Sequence, residues 1–132
     1  VDDRAMGVRT VVAVDIDEDG DIDLASATKD DNTIAWFRND GNQQFEKIVI
    51  DNTAGGAYSL VARDVDQDNH VDLVVAANSE GSLPDNGEGG MVSWFRNGRD
   101  AQGELGTFTK VPVTLGNTTG QDDFDWFVLS VW

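Results

Sequence analysis

The sequence predicts an all-β chain: two four-stranded antiparallel sheets followed by the first strand of a third. Three observations predict it. The chain repeats itself at an offset of 49 residues, each repeat holds four short apolar runs rich in β-branched and aromatic residues between turn-forming residues, and no stretch carries a 3.6-residue apolar stripe long enough for a helix.

In chain order, Val11-Val12-Ala13-Val14 is the first run and returns as Leu60-Val61-Ala62-Arg63. An acidic nonapeptide follows each: Asp15-Ile16-Asp17-Glu18-Asp19-Gly20-Asp21-Ile22-Asp23, then Asp64-Val65-Asp66-Gln67-Asp68-Asn69-His70-Val71-Asp72. The second run, Ile22 to Ala27, matches Val71 to Ala76, and the third, Ile34-Ala35-Trp36-Phe37-Arg38-Asn39, matches Val92-Ser93-Trp94-Phe95-Arg96-Asn97. The fourth begins at Phe45 in one repeat and Phe108 in the other. Turn residues such as Asp31-Asn32, Asn39 to Asn42 and Asn97-Gly98 separate the runs. Two insertions in the second repeat, Ser79 to Gly90 and Arg99 to Gly106, are expected to be exposed loops. Phe127 to Trp132 lines up with Tyr58 to Arg63, so the expected units are residues 1–57, 58–125 and a last strand in 126–132.

Strands with apolar residues on both faces, as in Ile34 to Phe37, need cover on each side, as happens when sheets stack radially into a propeller. A propeller takes about 4 to 8 such blades. Two blades leave apolar faces open, so the chain is expected either to be part of a longer propeller or to assemble as a homo-oligomer.

Carboxylates fall at positions 1, 3, 5 and 9 of both nonapeptides, the way a loop gathers oxygen ligands around a hard cation. Position 6 is Gly20 in one and Asn69 in the other, residue types that adopt positive φ most readily. Four carboxylates gathered in one turn repel by roughly 4 kcal/mol per pair at 4 Å and an effective dielectric of 20, so the turn is expected to need a cation. An EF-hand is excluded: position 12 is Ser26 or Val75 rather than Glu, and the flanks are β-type. All candidate ligands come from one contiguous turn, which points to two structural Ca2+ sites rather than a catalytic metal.

Nine basic residues against 25 acidic ones give a net charge of −16. No basic stripe exists to neutralise phosphates, so nucleic acid is not an expected partner, and anionic membrane surfaces are disfavoured. No apolar run approaches the roughly 20 residues of a membrane span. Cysteine is absent, which leaves the redox compartment open. No nucleophile elbow, phosphate-binding Gly loop or zinc spacing is present, and the catalytic set is expected to be empty. His70 is the sole histidine. Trp36 and Trp94, at equal places in the repeat, are expected to pack between blades rather than to stack on sugars, whereas Trp126 and Trp132 have no counterparts.

The run from Val14 to Leu24, the Trp36 to Gly41 block and the Phe45 strand together resemble the FG-GAP or VCBS repeats, found in the β-propellers of integrin α-chains and of many secreted bacterial proteins. The resemblance spans about Val8 to Trp132 and implies a loop between the first and second strand of each blade. It implies Asp15, Asp17, Asp19 and Asp23 as calcium ligands with the carbonyl of Asp21, and Asp64, Asp66, Asp68 and Asp72 with the carbonyl of His70. It further implies a secreted or cell-surface binding and scaffold module with a protein or carbohydrate ligand and no catalysis. The alternative is a part of a secreted carbohydrate-active enzyme, such as a polysaccharide lyase or dehydratase. Asn69 departs from the usual glycine and is expected to strain its loop.

Overall fold

The computed structural model describes residues 6–78, 90–111 and 113, and these form eight strands and no helix. They are β1 (Val8–Val14), β2 (Asp23–Thr28), β3 (Ile34–Asn39), β4 (Phe45–Asp51), β5 (Ala57–Arg63), β6 (Asp72–Asn78), β7 (Gly90–Arg99) and β8 (Leu105–Val111). The chain folds as two four-stranded antiparallel sheets in the orders β1-β2-β3-β4 and β5-β6-β7-β8, two blades of an incomplete propeller. The last strand expected in 126–132, with Trp126 and Trp132, and the insertion from Ser79 to Gly89 lie outside the described residues.

Register repeats as closely as the strand order. Val14 pairs with Asp23 and Arg63 with Asp72, so each acidic nonapeptide spans the β1–β2 or β5–β6 connection. Trp36 pairs with Ile48 and Trp94 with Val111, while Asn39 faces Phe45 and Asn97 faces Phe108. One consequence bears on the site: Arg38 lies opposite Glu46, but Arg96 lies opposite Thr109.

The inner strands carry the core. Ala25, Ala27, Ile34 and Trp36 of the first sheet and Leu60, Leu73, Val75 and Phe95 of the second form one buried cluster with Ile16, Ala54 and Ala57. Removing a side chain the size of Leu73 or Phe95 from water is worth about 2–3 kcal/mol, so the cluster binds the two sheets into one body. Trp36 lies between them, meeting Phe108 of β8 edge-on at 6.3 Å between ring centres. The blade-to-blade placement expected for Trp36 is therefore what the fold adopts.

The insertion from Arg99 to Gly106 is not a free loop. It lengthens the β7–β8 hairpin, pairing Gly98 with Thr107 and Arg99 with Leu105, and Gly106 is the odd residue of a bulge at φ +106°. A Cβ at Gly106 would overlap the six-membered ring of Trp36, so the bulge needs glycine both for its backbone and for the close approach. The sequence placed the extra residues correctly but not their pairing, because Gly, Asp and Gln between Arg99 and Leu105 read only as turn. They do turn: Asp100 accepts the amides of Gln102 and Glu104 as Asp40 accepts those of Asn42 and Gln44 in the first sheet.

Between the sheets, Asn32 fixes the connection by accepting the Ala54 amide on its carbonyl at 3.2 Å and the Gly56 amide on its side chain at 2.9 Å. Lys110 of β8 reaches back to Asp51 at the end of β4 at 3.0 Å, and the Thr10 hydroxyl of β1 donates to the carbonyl of Tyr58 in β5.

Candidate metal centres

Both acidic loops are wound by the same backbone device. Each has two residues at positive φ, Glu18 (61°) and Gly20 (97°) in the first, Gln67 (65°) and Asn69 (71°) in the second. Position 6 was legible in the sequence; position 4 was not, because neither Glu nor Gln advertises a left-handed conformation. Asn69 takes the same turn as Gly20.

Side chains then lock the turns. Asp15 Oδ2 accepts the Gly20 amide at 3.0 Å and Asp64 Oδ2 the Asn69 amide at 2.9 Å. Asp19 Oδ1 accepts the Asp21 amide and Asp68 Oδ1 the His70 amide, each at 2.9 Å. At position 9, Asp23 and Asp72 are wholly buried. Asp23 accepts the amides of Ile16 (3.0 Å) and Asn39 (2.8 Å), and Asp72 those of Val65 (3.1 Å) and Asn97 (2.8 Å). Each buried carboxylate thus has a main-chain donor on both of its oxygens. These two residues therefore staple the loop to the third strand of the same sheet, whatever else their remaining lone pairs do.

Three carboxylates converge in each loop. Asp15, Asp17 and Asp19 bring ligand atoms within 4.8 Å of one another, and so do Asp64, Asp66 and Asp72. Of the remaining predicted ligands, Asp21 places its carboxylate beside Gly41 in the β3–β4 turn, and Asp23 remains the staple of the first loop. Asp68 is engaged by Arg96, whose guanidinium lies 2.5 Å from Asp66 Oδ2 and 3.2 Å from Asp68 Oδ2. His70 sets its imidazole Nδ1 at 2.8 Å from Glu18 Oε1, a contact between the two loops that the sequence did not announce.

Electrostatics separate the loops. In the first, Asp15 Oδ1 and Asp17 Oδ1 are buried without a hydrogen-bond partner among the described residues. Burial pushes the Asp17 carboxyl above its usual range, and the neighbouring charges of Asp23, Asp19 and Asp15 add to the rise. In the second, the His70 amide holds Asp68 below its usual range, with lesser help from the His70 and Arg96 charges and against the opposing effect of burial. Orphaned, desolvated oxygens among like charges are what a cation satisfies, so the first loop could hold a metal ion.

Residues 15–75 match the family model of the FG-GAP-like repeat. Those residues are similar to an FG-GAP-like repeat. The matched segment opens on Asp15 and closes on Val75 in β6, so both acidic loops and the whole first connection between blades lie inside the FG-GAP-like stretch. It covers just under half of the chain; Trp94, Arg96 and Asn97 fall beyond it and are tied to it by the repeated register. No curated protein and no solved structure matches the chain significantly. No helix among the described residues is long and apolar enough to cross a membrane.

Proposed function

We propose that this propeller-like repeat module binds calcium in its acidic loops, where the ion is structural, and serves outside the cell or at its surface as a non-enzymatic binding and scaffold unit for a protein or carbohydrate ligand. The observation that carries the calcium reading is the pair of buried, unpartnered carboxylate oxygens on Asp15 and Asp17, beside Asp19. Asp15, Asp17 and Asp19 would hold the ion in the first loop, and Asp64, Asp66 and Asp72 in the second.

Assembly with further blades of the same kind follows from a contrast within the repeat. Ile16 is fully buried under the second sheet, whereas its counterpart Val65 is 41% exposed. Whether the next blade belongs to the same polypeptide or to a second copy, it would cover Val65 as the second sheet covers Ile16. Neither nucleic acid nor bilayer insertion suits a surface this acidic.

Thermal melts in calcium and in chelator test the metal. A site of about 10⁻⁴ to 10⁻³ M at 10 mM calcium stabilises by about 1.4–2.7 kcal/mol, which is roughly 4–13 °C in Tm for a chain of this size. A melt unchanged by chelator refutes the proposal. Light scattering that finds only a monomer of the isolated chain in calcium counts against self-assembly, and turnover of any glycan counts against the non-enzymatic reading.

A further inference from the structure

The two loops have equivalent sequences and unequal surroundings. Asn97, wholly buried in β7, donates its side-chain amide to the carbonyl of Ile16 at 2.9 Å and accepts the Gly106 amide at 2.8 Å. Ile16 sits between Asp15 and Asp17, so a residue 81 positions away in the second sheet fixes the backbone from which two carboxylates of the first loop project. The counterpart Asn39 does something else, donating to the carbonyl of Ile22 at 3.0 Å within its own sheet. The pairing of Glu18 with His70 adds a second tie across the sheets.

The second loop is instead closed by a side chain. Arg38 of the first sheet has Glu46 across the strand and pairs with it at 2.7 Å. Arg96 faces Thr109, which offers no charge, and its guanidinium turns to Asp66 and Asp68. Asp64 Oδ1 is also engaged, accepting the Asp68 amide at 3.2 Å, whereas the matching oxygen of Asp15 has no partner. One loop presents prearranged, unsatisfied oxygens; the other has two of its four carboxylates already engaged by a cation from within the chain.

We infer that the loops load with calcium in order, the Asp15 to Asp23 loop first, because Asn97 positions its backbone from the neighbouring sheet while Arg96 competes for the carboxylates of the Asp64 to Asp72 loop. The ordering rests on the calcium reading above. Arg96 is thereby an intramolecular counter-cation, and Asn97 a positioning residue that touches no ion itself. A cation entering the second loop must displace the guanidinium from Asp66, so that loop responds in a higher calcium range.

Calcium titrated into the full chain, with the backbone amides of Gly20 and Asn69 followed by NMR, reads the two loops separately in one molecule. Gly20 is expected to saturate at a calcium concentration at least about threefold to tenfold below that of Asn69, the scale on which two exposed ion pairs compete. Arg96→Gln is expected to move the Asn69 curve down by a similar factor and leave Gly20 in place. Asn97→Ala is expected to move the Gly20 curve up by about threefold to tenfold, the worth of one hydrogen bond, and to move the Asn69 curve by less, since alanine keeps the main-chain amide that Asp72 accepts. A general loss of stability would shift both curves together and so would not mimic this crossing. If Asn97→Ala fails to fold, Arg96→Gln alone decides. Coincident curves in the unmodified chain, or an Asn69 curve indifferent to Arg96→Gln, overturn the ordering alone. The absence of any amide shift at millimolar calcium overturns the ordering and the metal reading together.

Discussion

Replacing Asp23 with Asn isolates the structural duty of the ninth loop position from any metal duty. Both oxygens of Asp23 accept main-chain amides, Ile16 at 3.0 Å and Asn39 at 2.8 Å, in a site with no exposure. An Asn side chain keeps one acceptor and turns an NH2 toward the other amide, so one charge-assisted bond is lost and one buried N–H is left unpaired. The lost bond costs about 1.5–3 kcal/mol and the stranded donor about 1–3 kcal/mol, about 2.5–6 kcal/mol together. For a chain of this length that corresponds to roughly a 9–22 °C fall in Tm. The assay is thermal denaturation in excess chelator, followed by far-UV circular dichroism, so that no cation contributes. Asp21→Asn is the control: it removes the same charge from the same loop, but from a carboxylate beside the Gly41 turn, and is expected to stay within about 0.5 kcal/mol of the unmodified chain. If the two variants melt within a couple of degrees of each other in chelator, Asp23 is not a staple and the account of the loop's folding is wrong.

Gly106→Ala is expected to destabilise by about 2–4 kcal/mol, since it combines a φ of +106° with displacement of the Trp36 ring; urea unfolding followed by tryptophan fluorescence reads both the loss and the changed indole environment. For pH, burial raises the Asp51 carboxyl, but hydrogen bonds from the Thr53 hydroxyl (2.6 Å) and amide (2.7 Å) and from Lys110 (3.0 Å) outweigh it and leave the group below its ordinary value of 3.8. The stability from this carboxylate is therefore present above about 3.8 and lost as pH falls from there through the lower folded value. The stability difference between the unmodified chain and Asp51→Asn should shrink over that acid window, and a difference that stays flat with pH refutes the assignment.

The strands and the loop turns were legible because they depend on local chemistry. Alternating β-branched residues, the Asp31-Asn32 and Asn39 to Asn42 turns and the offset of 49 residues set eight strands and place both acidic loops between the first and second strand of a sheet. The aspartates at positions 1 and 5 lock their own turns through amides within five residues, so their positions alone implied the geometry. Charge pattern likewise named the acidic residues of both loops, but only three carboxylates of each converge, Asp15, Asp17 and Asp19 in one and Asp64, Asp66 and Asp72 in the other.

What tertiary structure decided was how alike the two loops are. The nonapeptides match, yet the first loop is pinned by Asn97 from 81 residues away and the second is covered by Arg96, and both facts depend on which residue lies across a strand. Glu46 opposite Arg38 and Thr109 opposite Arg96 are separated by the length of the intervening hairpins, which local spacing does not reveal. The bulge at Gly106, which brings glycine onto Trp36, is of the same kind: its residues read as turn, and only the packing of one sheet on the next makes them strand. Contacts between nearby residues are written in residue type and order, whereas contacts between blades arise from register and burial summed over the whole chain.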